Sequence, residues 1–543
     1  MKNYVEEKRI RPDILTATVF GSIIIMMLYN IISVRIFGDK GSGFGAGPLA
    51  LYFLLYVSFV FAVQKAVYIM VRLRARRSQF LNAQANMKKS IRIFLISGIL
   101  IAIILSLSSF VIARSLFGSV RVYFQIIIVG VSLLFLCTQG VMRGYLQGLG
   151  YTKPIVLTDI FMALVAFVTG AIISGIMYSY GKKVNELFHG DEYSAIYGAS
   201  GMMIGLLIGS IVGFIQIIVS ISLRKKEIDE IVKGGAPRYL DNKNDVITGI
   251  RPILYLYASP LLMCLVDIVF YNVIQAKNGH IDTMVSAIGA YEGRIVSFVV
   301  ILAFLCCFPF IKSWNRIMAR IERDELEGAR ERLRKNIHFS TMLLFPVTVF
   351  LFTISDSIQI AVFGKISNEI SGIFQLAAPL LFLLSIAIFT SWLLNHMGKN
   401  ILLVVNLSLA WLIHILLLAV LLAGISLELT GIVISEIAAL LVYDVLCLFM
   451  IFKMLKYKSN LLLNVGIPLM ASAVSGLVAY FIDRIFVNLI GEVLTLIIEV
   501  VLYSIIYMLI LIVLKGVKTH ELSSIPFGKY FMGFSAMVQH DRE

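Results

Sequence analysis

The stretches YNIISVRIFG at residues 29–38 and YNVIQAKNG at residues 271–279 decide how this chain is interpreted. Each ends a run of about twenty mostly apolar residues, which is the length needed to cross a hydrocarbon core of roughly 30 Å. In each, a Tyr-Asn pair precedes a cation, which is Arg35 in the first stretch and Lys277 in the second. We therefore expect an internal repeat in which two equivalent helices end in a positive charge.

The composition is that of a membrane protein with many spanning helices. Of the 543 residues, 59% are hydrophobic and only 15% are charged, whereas about a quarter of the residues in a soluble domain are charged. Strand-length alternating segments are absent, which argues against an outer-membrane barrel. The net charge of +15 is carried mostly by alternate loops, so it indicates membrane orientation rather than nucleic-acid binding. Both termini are predicted to be cytoplasmic.

About fourteen membrane-spanning helices are predicted from the apolar runs. The longest connections between them, at 71–90, 224–250 and 312–336, are also the most basic. The approximate ranges of the predicted helices are 14–36, 46–70, 91–117, 121–148, 154–180, 198–223, 251–276, 284–311, 337–363, 369–395, 399–424, 428–452, 462–487 and 491–516.

The repeat extends beyond the two opening stretches. FLNAQANMKKSIRIF at 80–94 corresponds to LEGARERLRKNIHFS at 326–340, and LFG at 116–118 corresponds to VFG at 362–364. An offset of six helices is even, so helices 1–6 and 7–12 are predicted to be related lobes of the same orientation. The predicted fold class is an all-α integral membrane protein with two pseudo-symmetric six-helix lobes plus two extra helices. The predicted segments are the first lobe 1–223, a cytoplasmic linker 224–250, the second lobe 251–452, helices 13 and 14 at 453–516, and a cytoplasmic tail 517–543.

Four cations fall within or at the ends of the predicted spans. Burying a charge in a span costs at least about 2.5–3.5 kcal/mol, so such a residue usually faces a cavity or a partner. Arg35 and Lys277 end helices 1 and 7 on the external side. Lys65 lies near the inner end of helix 2, and Arg294 lies deep in helix 8. We predict that these residues line a cationic substrate cavity, because arginine can hold a pyrophosphate bidentately. The alternative is that each side chain reaches the lipid headgroups.

Polar residues in the spans provide further candidates for the cavity. These are Asn30, Asn272, Glu292 and Gln147. Residues of this kind often form hydrogen bonds between helices instead. An ion pair between Glu292 and Arg294 is also considered, but residues two apart do not share a helix face, so each is expected to need another partner.

Three carboxylates are candidates for a site that binds a coupling ion. Asp267 lies near the middle of helix 7, beside a kink expected at Pro260, and Glu436 and Asp444 lie on roughly one side of helix 12. For Asp267 the alternative is an interhelical hydrogen bond or an ion pair with one of the cations. His414 is expected to bridge two helices by a hydrogen bond.

The basic residues at the cytoplasmic side have a separate interpretation. Arg143 lies near the inner end of helix 4 and is predicted to anchor an inner gate or the turn between helices 4 and 5. Loops such as RLRARRSQF at 72–80 are predicted to set the topology and to contact anionic lipids.

No signature of catalysis or of metal binding stands out. The five cysteines lie inside apolar runs and show no CxxC or Cys/His spacing. The motifs of P-loop enzymes, zinc proteases and serine hydrolases do not occur. We therefore expect no enzyme activity, no metal and no cofactor. Transport would then be driven by a Na⁺ or H⁺ gradient, by the membrane potential or by the substrate gradient.

Several segments resemble one known family. VRIFGDKGSGFGAGPLALYFLLY at 34–56, MRGYLQGLGYTKP at 142–154, the block 308–346 and LLNHMGKN at 393–400 are similar to motifs of the polysaccharide-exporter branch of the MOP, or MATE-fold, superfamily. The resemblance is to its SpoVB/YtgP/MurJ-like group. It implies an alternating-access flippase in the bacterial plasma membrane. The implied substrate is an oligosaccharide linked to an undecaprenyl-pyrophosphate type carrier, such as a peptidoglycan precursor. A monomer without a nucleic-acid partner is expected.

Two other functions are weighed against the flippase. A cation-coupled multidrug exporter of the same fold would need a negative cavity, and the four cations favour the flippase. A membrane glycosyltransferase or ligase would need long external loops with catalytic carboxylates. The longest predicted external loop, 181–197, holds only Glu186, Asp191 and Glu192.

Overall fold

The computed structural model describes residues 12–236, 245–370, 372–523 and 527–539. Within these ranges the chain is helical and has no strand, so the all-α prediction is confirmed. The α-helices are α1 Pro12–Tyr56, α2 Val63–Arg76, α3 Phe80–Ser115, α4 Tyr123–Leu136, α5 Gln139–Gly148, α6 Lys153–Phe188, α7 Tyr193–Leu223, α8 Lys225–Lys233, α9 Asp245–Lys277, α10 Ile281–Ala290, α11 Ser297–Cys307, α12 Ile311–Ile321, α13 Leu326–Thr353, α14 Ser355–Phe363, α15 Ile373–His396, α16 Asn400–Leu418, α17 Glu428–Leu455, α18 Ile467–Ile490, α19 Glu492–Val513, α20 Thr519–Leu522 and α21 Met532–Gln539.

Within the described ranges, four short segments are wound as π-helix, and they connect or extend the longer helices. They are Val57–Ala62, Tyr291–Val296, Ala419–Gly424 and Leu462–Gly466. The segments 1–11 and 540–543, on which the predicted position of the termini depends, lie outside the described residues. So does 237–244 in the predicted linker.

The described residues contain 13 helical stretches that are long and apolar enough to cross a membrane, so this is a multi-pass membrane protein. The first stretch, Pro12–Arg76, has 65 residues and includes both of the first two predicted helices. The predicted loop between them is absent, because the chain bends at Gly38 and stays helical on both sides. Gly38 has φ 74° and ψ −177°, a conformation that is open to glycine and strained for other residues. The predicted helix 284–311 is also longer in the structure, where the span runs over Thr283–Ile321.

The chain forms two compact units. One contains the described residues up to Ile301 together with Gly398–Ser435, and the other contains Leu302–Met397 together with the described residues from Glu436 onward. The predicted lobes 1–223 and 251–452 are defined by the internal repeat, and this division stays a prediction.

The first unit packs α6 against α7 through small residues. A Cβ on Gly205 would lie 2.3 Å from the Cα of Gly170, and one on Gly201 would lie 2.7 Å from the Cα of Ser174. Small residues at this spacing let two helix backbones approach closely, which is how helices associate in an apolar solvent. The Tyr29 hydroxyl of α1 donates to the Met202 carbonyl at 3.0 Å and so connects α1 to α7.

The second unit is organised around α13, α18 and α19. Pro346 has no backbone N–H, so the Met342 carbonyl one turn earlier lacks its helical donor. The Tyr507 hydroxyl of α19 donates to this carbonyl at 2.8 Å, and the Tyr503 hydroxyl donates to the Pro346 carbonyl at 2.9 Å. Both tyrosines are about 5% exposed. They satisfy the carbonyls around the proline, and this explains how α13 accommodates it.

Candidate functional site

The candidate site is formed where α1 passes α10 and the π-helix Tyr291–Val296. A Cβ on Gly289 would lie 2.0 Å from the Asp39 carbonyl oxygen, and one on Gly43 would lie 1.8 Å from the Val285 carbonyl oxygen. Only glycine fits at such distances, so the two backbones are in direct contact. This contact brings two charged side chains face to face inside the protein.

The two charges are those of Asp39 and Arg294, which form a buried bidentate ion pair. The distances are 2.6 Å from Arg294 Nε to Asp39 Oδ1 and 2.8 Å from Arg294 Nη2 to Asp39 Oδ2. The Arg294 side chain is 1% exposed and the Asp39 side chain is 10% exposed. A planar guanidinium fits a carboxylate or a phosphate with two parallel hydrogen bonds. Removing one member of such a pair would leave the other as an uncompensated buried charge.

A second set of hydrogen bonds joins α1 to the same π-helix. The Asn30 amide donates to the Ser297 hydroxyl at 3.0 Å, and that hydroxyl donates to the Glu292 carbonyl at 2.9 Å. A π-helix frees backbone groups that an α-helix would pair, and such turns occur frequently at functional sites. The Glu292 carboxylate itself lies 3.5 Å from the Cys264 sulfur of α9. Glu292 therefore faces α9, while Arg294 faces α1.

The structure also pairs Asp267 with His414. The distance between Asp267 Oδ1 and His414 Nε2 is 2.8 Å, and the side chains are 1% and 0% exposed. The pair is part of a seam between α9 and α16. In this seam the Trp411 indole donates to the Ser259 hydroxyl, and the hydroxyls of Tyr255 and Ser408 lie 2.9 Å apart. A buried carboxylate and imidazole in contact can hold and exchange a proton.

Arg143 lies in another buried ion pair, with Asp159 of α6. Both side chains are 0% exposed, and the guanidinium also lies 5.6 Å from the centre of the Phe61 ring. One helical turn after Arg143, the Gln147 amide oxygen accepts from Gln64 at 2.9 Å. Arg143 thus joins α5 to α6, and Gln147 joins α5 to α2. This is compatible with a role at a helix turn, which stays a prediction.

An exposed ion pair lies beside the loop between α6 and α7. Lys40 Nζ is 2.9 Å from Asp191 Oδ2 and 3.6 Å from a Glu192 carboxylate oxygen. Arg121 also pairs with Glu192. The hydrogen bond from Lys40 and its positive charge lower the pKa of the Asp191 carboxyl.

The remaining predicted site residues are not brought together. Arg35 and Lys277 are exposed, and Lys65 is partly buried. An exposed cation on an apolar helix can face either a cavity or the lipid headgroups. The roles of these three residues therefore stay predictions. Asn272 is 4% exposed, and its amide oxygen is buried without a hydrogen bond among the described residues.

The two carboxylates predicted on helix 12 lie in α17. Asp444 is 3% exposed, and both of its carboxylate oxygens are buried without a hydrogen bond among the described residues. Glu436 is partly buried. Their assignment to an ion site therefore stays a prediction.

Asp39 was not predicted as a site residue. His414 was predicted only as a hydrogen bond between helices, without its partner Asp267. Asp39 lies in the glycine-rich stretch GDKGSGFGAG at 38–47, which resembles a loop. The available signal was the density of small residues, because these permit close contact between helices. His414 was predicted to bridge helices, which it does, but its partner could not be read from the sequence.

The whole fold is similar to solved structures of MOP superfamily transporters. The structure of the lipid II flippase MurJ in an inward closed conformation matches with a TM-score of 0.61 and 15% identity, over 91% of this chain and 97% of that one. A multidrug resistance MATE transporter in an inward-facing conformation matches with a TM-score of 0.59 and 17% identity, over 81% of this chain and 99% of that one.

A third match is an MOP superfamily transporter from Pyrococcus furiosus, described as having a binding pocket of reverse polarity. Its TM-score is 0.53 with 17% identity, over 82% of this chain and 98% of that one. No protein-family model and no curated protein matches this chain. At these identities the similarity shows the fold, and the predicted MOP fold is confirmed.

Proposed function

We propose that this chain, which has the MOP fold, moves a lipid-linked saccharide with a pyrophosphate carrier from the inner to the outer leaflet by alternating access. The observation that carries the proposal is the buried pair of Asp39 and Arg294. A cation-coupled multidrug exporter of the same fold is the alternative, since MATE multidrug transporters are also among the similar structures.

The ion pair favours an anionic substrate. The Arg294 fork is occupied by a carboxylate, and a phosphate presents the same arrangement of two acceptor oxygens. A pyrophosphate can therefore take the place of Asp39 at Arg294, whereas a cationic drug would have to take the place of Arg294 at Asp39. Arg294 keeps a partner during this exchange, whereas the displaced Asp39 carboxylate loses its cation and must become protonated or hydrated.

The exchange would also couple binding to movement. Asp39 belongs to the first predicted lobe and Arg294 to the second. While they are paired, α1 is fixed against the π-helix Tyr291–Val296 by the ion pair and by the Asn30–Ser297 hydrogen bond. A substrate that binds Arg294 releases Asp39 and removes one of these two connections. Binding energy then favours the open arrangement, as alternating access requires.

We further propose that Asp267 and His414 form the coupling site and that the coupling ion is a proton. Both side chains are buried and in contact, and each can gain or lose a proton. The basic helix α12 and the start of α13 would contact anionic lipids.

Depletion in cells separates the flippase from the exporter. The fraction of lipid-linked precursor accessible outside the membrane is measured by labelling before and after the protein is depleted. The flippase predicts a fall in the accessible fraction and no change in the accumulation of a cationic dye. An unchanged accessible fraction with increased dye accumulation would favour the exporter.

A further inference from the structure

A cavity that the proposed exchange does not use lies at the end of α9, where the charge pattern predicts the external side. It encloses about 230 Å³ between the last turns of α9, the π-helix Ala419–Gly424 and the start of α17. At about 30 Å³ per water molecule, this volume has room for one sugar ring. Its polar lining consists of Tyr271, Gln275, Asn278, His280, Ser426 and Glu428.

The inner part of the cavity is preorganised. Tyr271 and Gln275 are 3% and 4% exposed, so both side chains are packed among the surrounding helices. The Gln275 amide oxygen lies 3.0 Å from His280 Nδ1, which orients both side chains. Two apolar residues, Ile274 and Leu422, complete the lining.

The outer wall is a well-formed loop that positions Glu428. The Ile425 N–H donates to the Val420 carbonyl at 3.0 Å, and the Leu427 N–H donates to the Leu421 carbonyl at 2.9 Å. Two residues of the following turn, Ser426 and Glu428, have φ of 60° and 49°. This is the left-handed region, which is strained for a residue other than glycine and is common at functional sites.

The lining selects for a neutral ligand with many hydroxyl groups. It combines groups that donate and accept (a phenol, two amides, a hydroxyl and an imidazole) with one carboxylate that only accepts. A sugar hydroxyl can do both, and an aromatic ring beside it suits the apolar face of a sugar. Among the described residues that line the cavity there is no lysine or arginine. A phosphate group would therefore find a carboxylate and no fixed cation there.

We infer that this cavity, which we call the α9 cavity, binds one neutral sugar unit of the transported saccharide. The inference rests on the proposed function and divides recognition into two places. The pyrophosphate is recognised by Arg294, and the sugar is recognised at the end of α9.

The test uses the full-length protein in nanodiscs with free N-acetylglucosamine and free glucose as probes. Saturation-transfer difference NMR measures binding to the wild type, to Glu428→Gln and to Asn278→Trp, which fills the cavity. Glu186→Gln is the matched control, since Glu186 is also an exposed carboxylate at the predicted external side. Loss of one charge-assisted hydrogen bond is expected to weaken sugar binding about tenfold or more, whereas the control should bind like the wild type.

The inference is overturned if neither sugar shows a saturation-transfer signal, or if the signal is equal in all four proteins. Transfer to a quaternary ammonium probe in place of the sugars would also overturn it and would make the cavity a cation site. Translocation of a lipid-linked saccharide is measured in parallel. Wild-type translocation without sugar binding contradicts only the α9 cavity, whereas sugar binding without translocation contradicts the proposed function. If Glu428→Gln does not fold, Asn278→Trp provides the same comparison.

Discussion

Arg294 and Asp39 are 255 residues apart in the sequence and are joined by two hydrogen bonds of 2.6 and 2.8 Å. Their side chains are almost fully buried. The pair therefore connects α1 to the π-helix Tyr291–Val296, which is far from α1 in the sequence. A structural role and a transport role for this pair make different predictions.

Breaking the pair on one side should destabilise the protein strongly. Asp39→Leu removes the carboxylate that faces the buried Arg294 guanidinium, which should cost about 3–5 kcal/mol. The double variant Asp39→Leu with Arg294→Met replaces both charges by apolar side chains and should recover most of this loss. Thermal unfolding of the purified protein measures the recovery. A double variant that is stable and also transports normally would show that the pair is structural only.

The glycine contact beside the pair gives a second prediction. Gly289→Ala places a methyl group 2.0 Å from the Asp39 carbonyl oxygen, so α1 and α10 must move apart and the protein should be destabilised. Gly175→Ala is the control, because nothing lies within 4 Å of its added Cβ. Because alanine favours the helix more than glycine does, Gly175→Ala should stabilise the protein by up to about 1 kcal/mol. Equal melting temperatures for the two variants would contradict the close packing of α1 against α10 at Gly289.

The pair of Asp267 and His414 predicts dependence on a proton gradient. Asp267→Asn should abolish the stimulation of transport by an imposed pH gradient, while flux down the substrate gradient remains, because only the exchangeable proton is lost. Trp411→Phe removes a neighbouring hydrogen bond of the same seam, to Ser259, and should keep the stimulation. The measurement is the initial rate of transport in vesicles with and without the gradient. Stimulation that survives in Asp267→Asn would exclude this carboxylate as the coupling group.

The exposed pair of Lys40 and Asp191 predicts a small dependence of stability on pH. The pKa of Asp191 is lowered in the folded protein, so its contribution is present above the ordinary carboxyl range, about pH 4, and is lost as the pH falls through the lowered value. Asp191→Asn should therefore lower the melting temperature at neutral pH by at most about 2 °C. At about pH 3 the variant and the wild type should differ less. A difference that grows on acidification would have the wrong sign.

The fold could be predicted from the sequence because a long apolar run can form few structures other than a membrane-spanning helix. The predicted spans and the resemblance of motifs such as MRGYLQGLGYTKP at 142–154 agree with the MOP fold. The prediction of a loop between the first two helices was wrong. It was made because GDKGSGFGAG at 38–47 has the composition of a loop. The structure keeps it helical, because Gly38 supplies the bend and the small residues pack against α10.

The pairing of the polar residues could not be predicted from one sequence. Arg294 was recognised as a deeply placed cation, but its partner Asp39 lay in the stretch interpreted as a loop. Asp267 was recognised as an unusual carboxylate, and its contact with His414 depends on how α9 and α16 are placed side by side. Such contacts follow from tertiary packing, on which local pattern and composition contain little information.

The most direct test of the central claim is a translocation assay in proteoliposomes. Purified protein is reconstituted with a saccharide linked to an undecaprenyl pyrophosphate carrier in one leaflet, and the rate at which the saccharide becomes accessible in the other leaflet is measured. We expect a rate well above that of protein-free vesicles for the wild type, and the protein-free rate for the stable double variant Asp39→Leu with Arg294→Met. A wild-type rate equal to that of protein-free vesicles, together with active export of a cationic dye, would contradict this expectation.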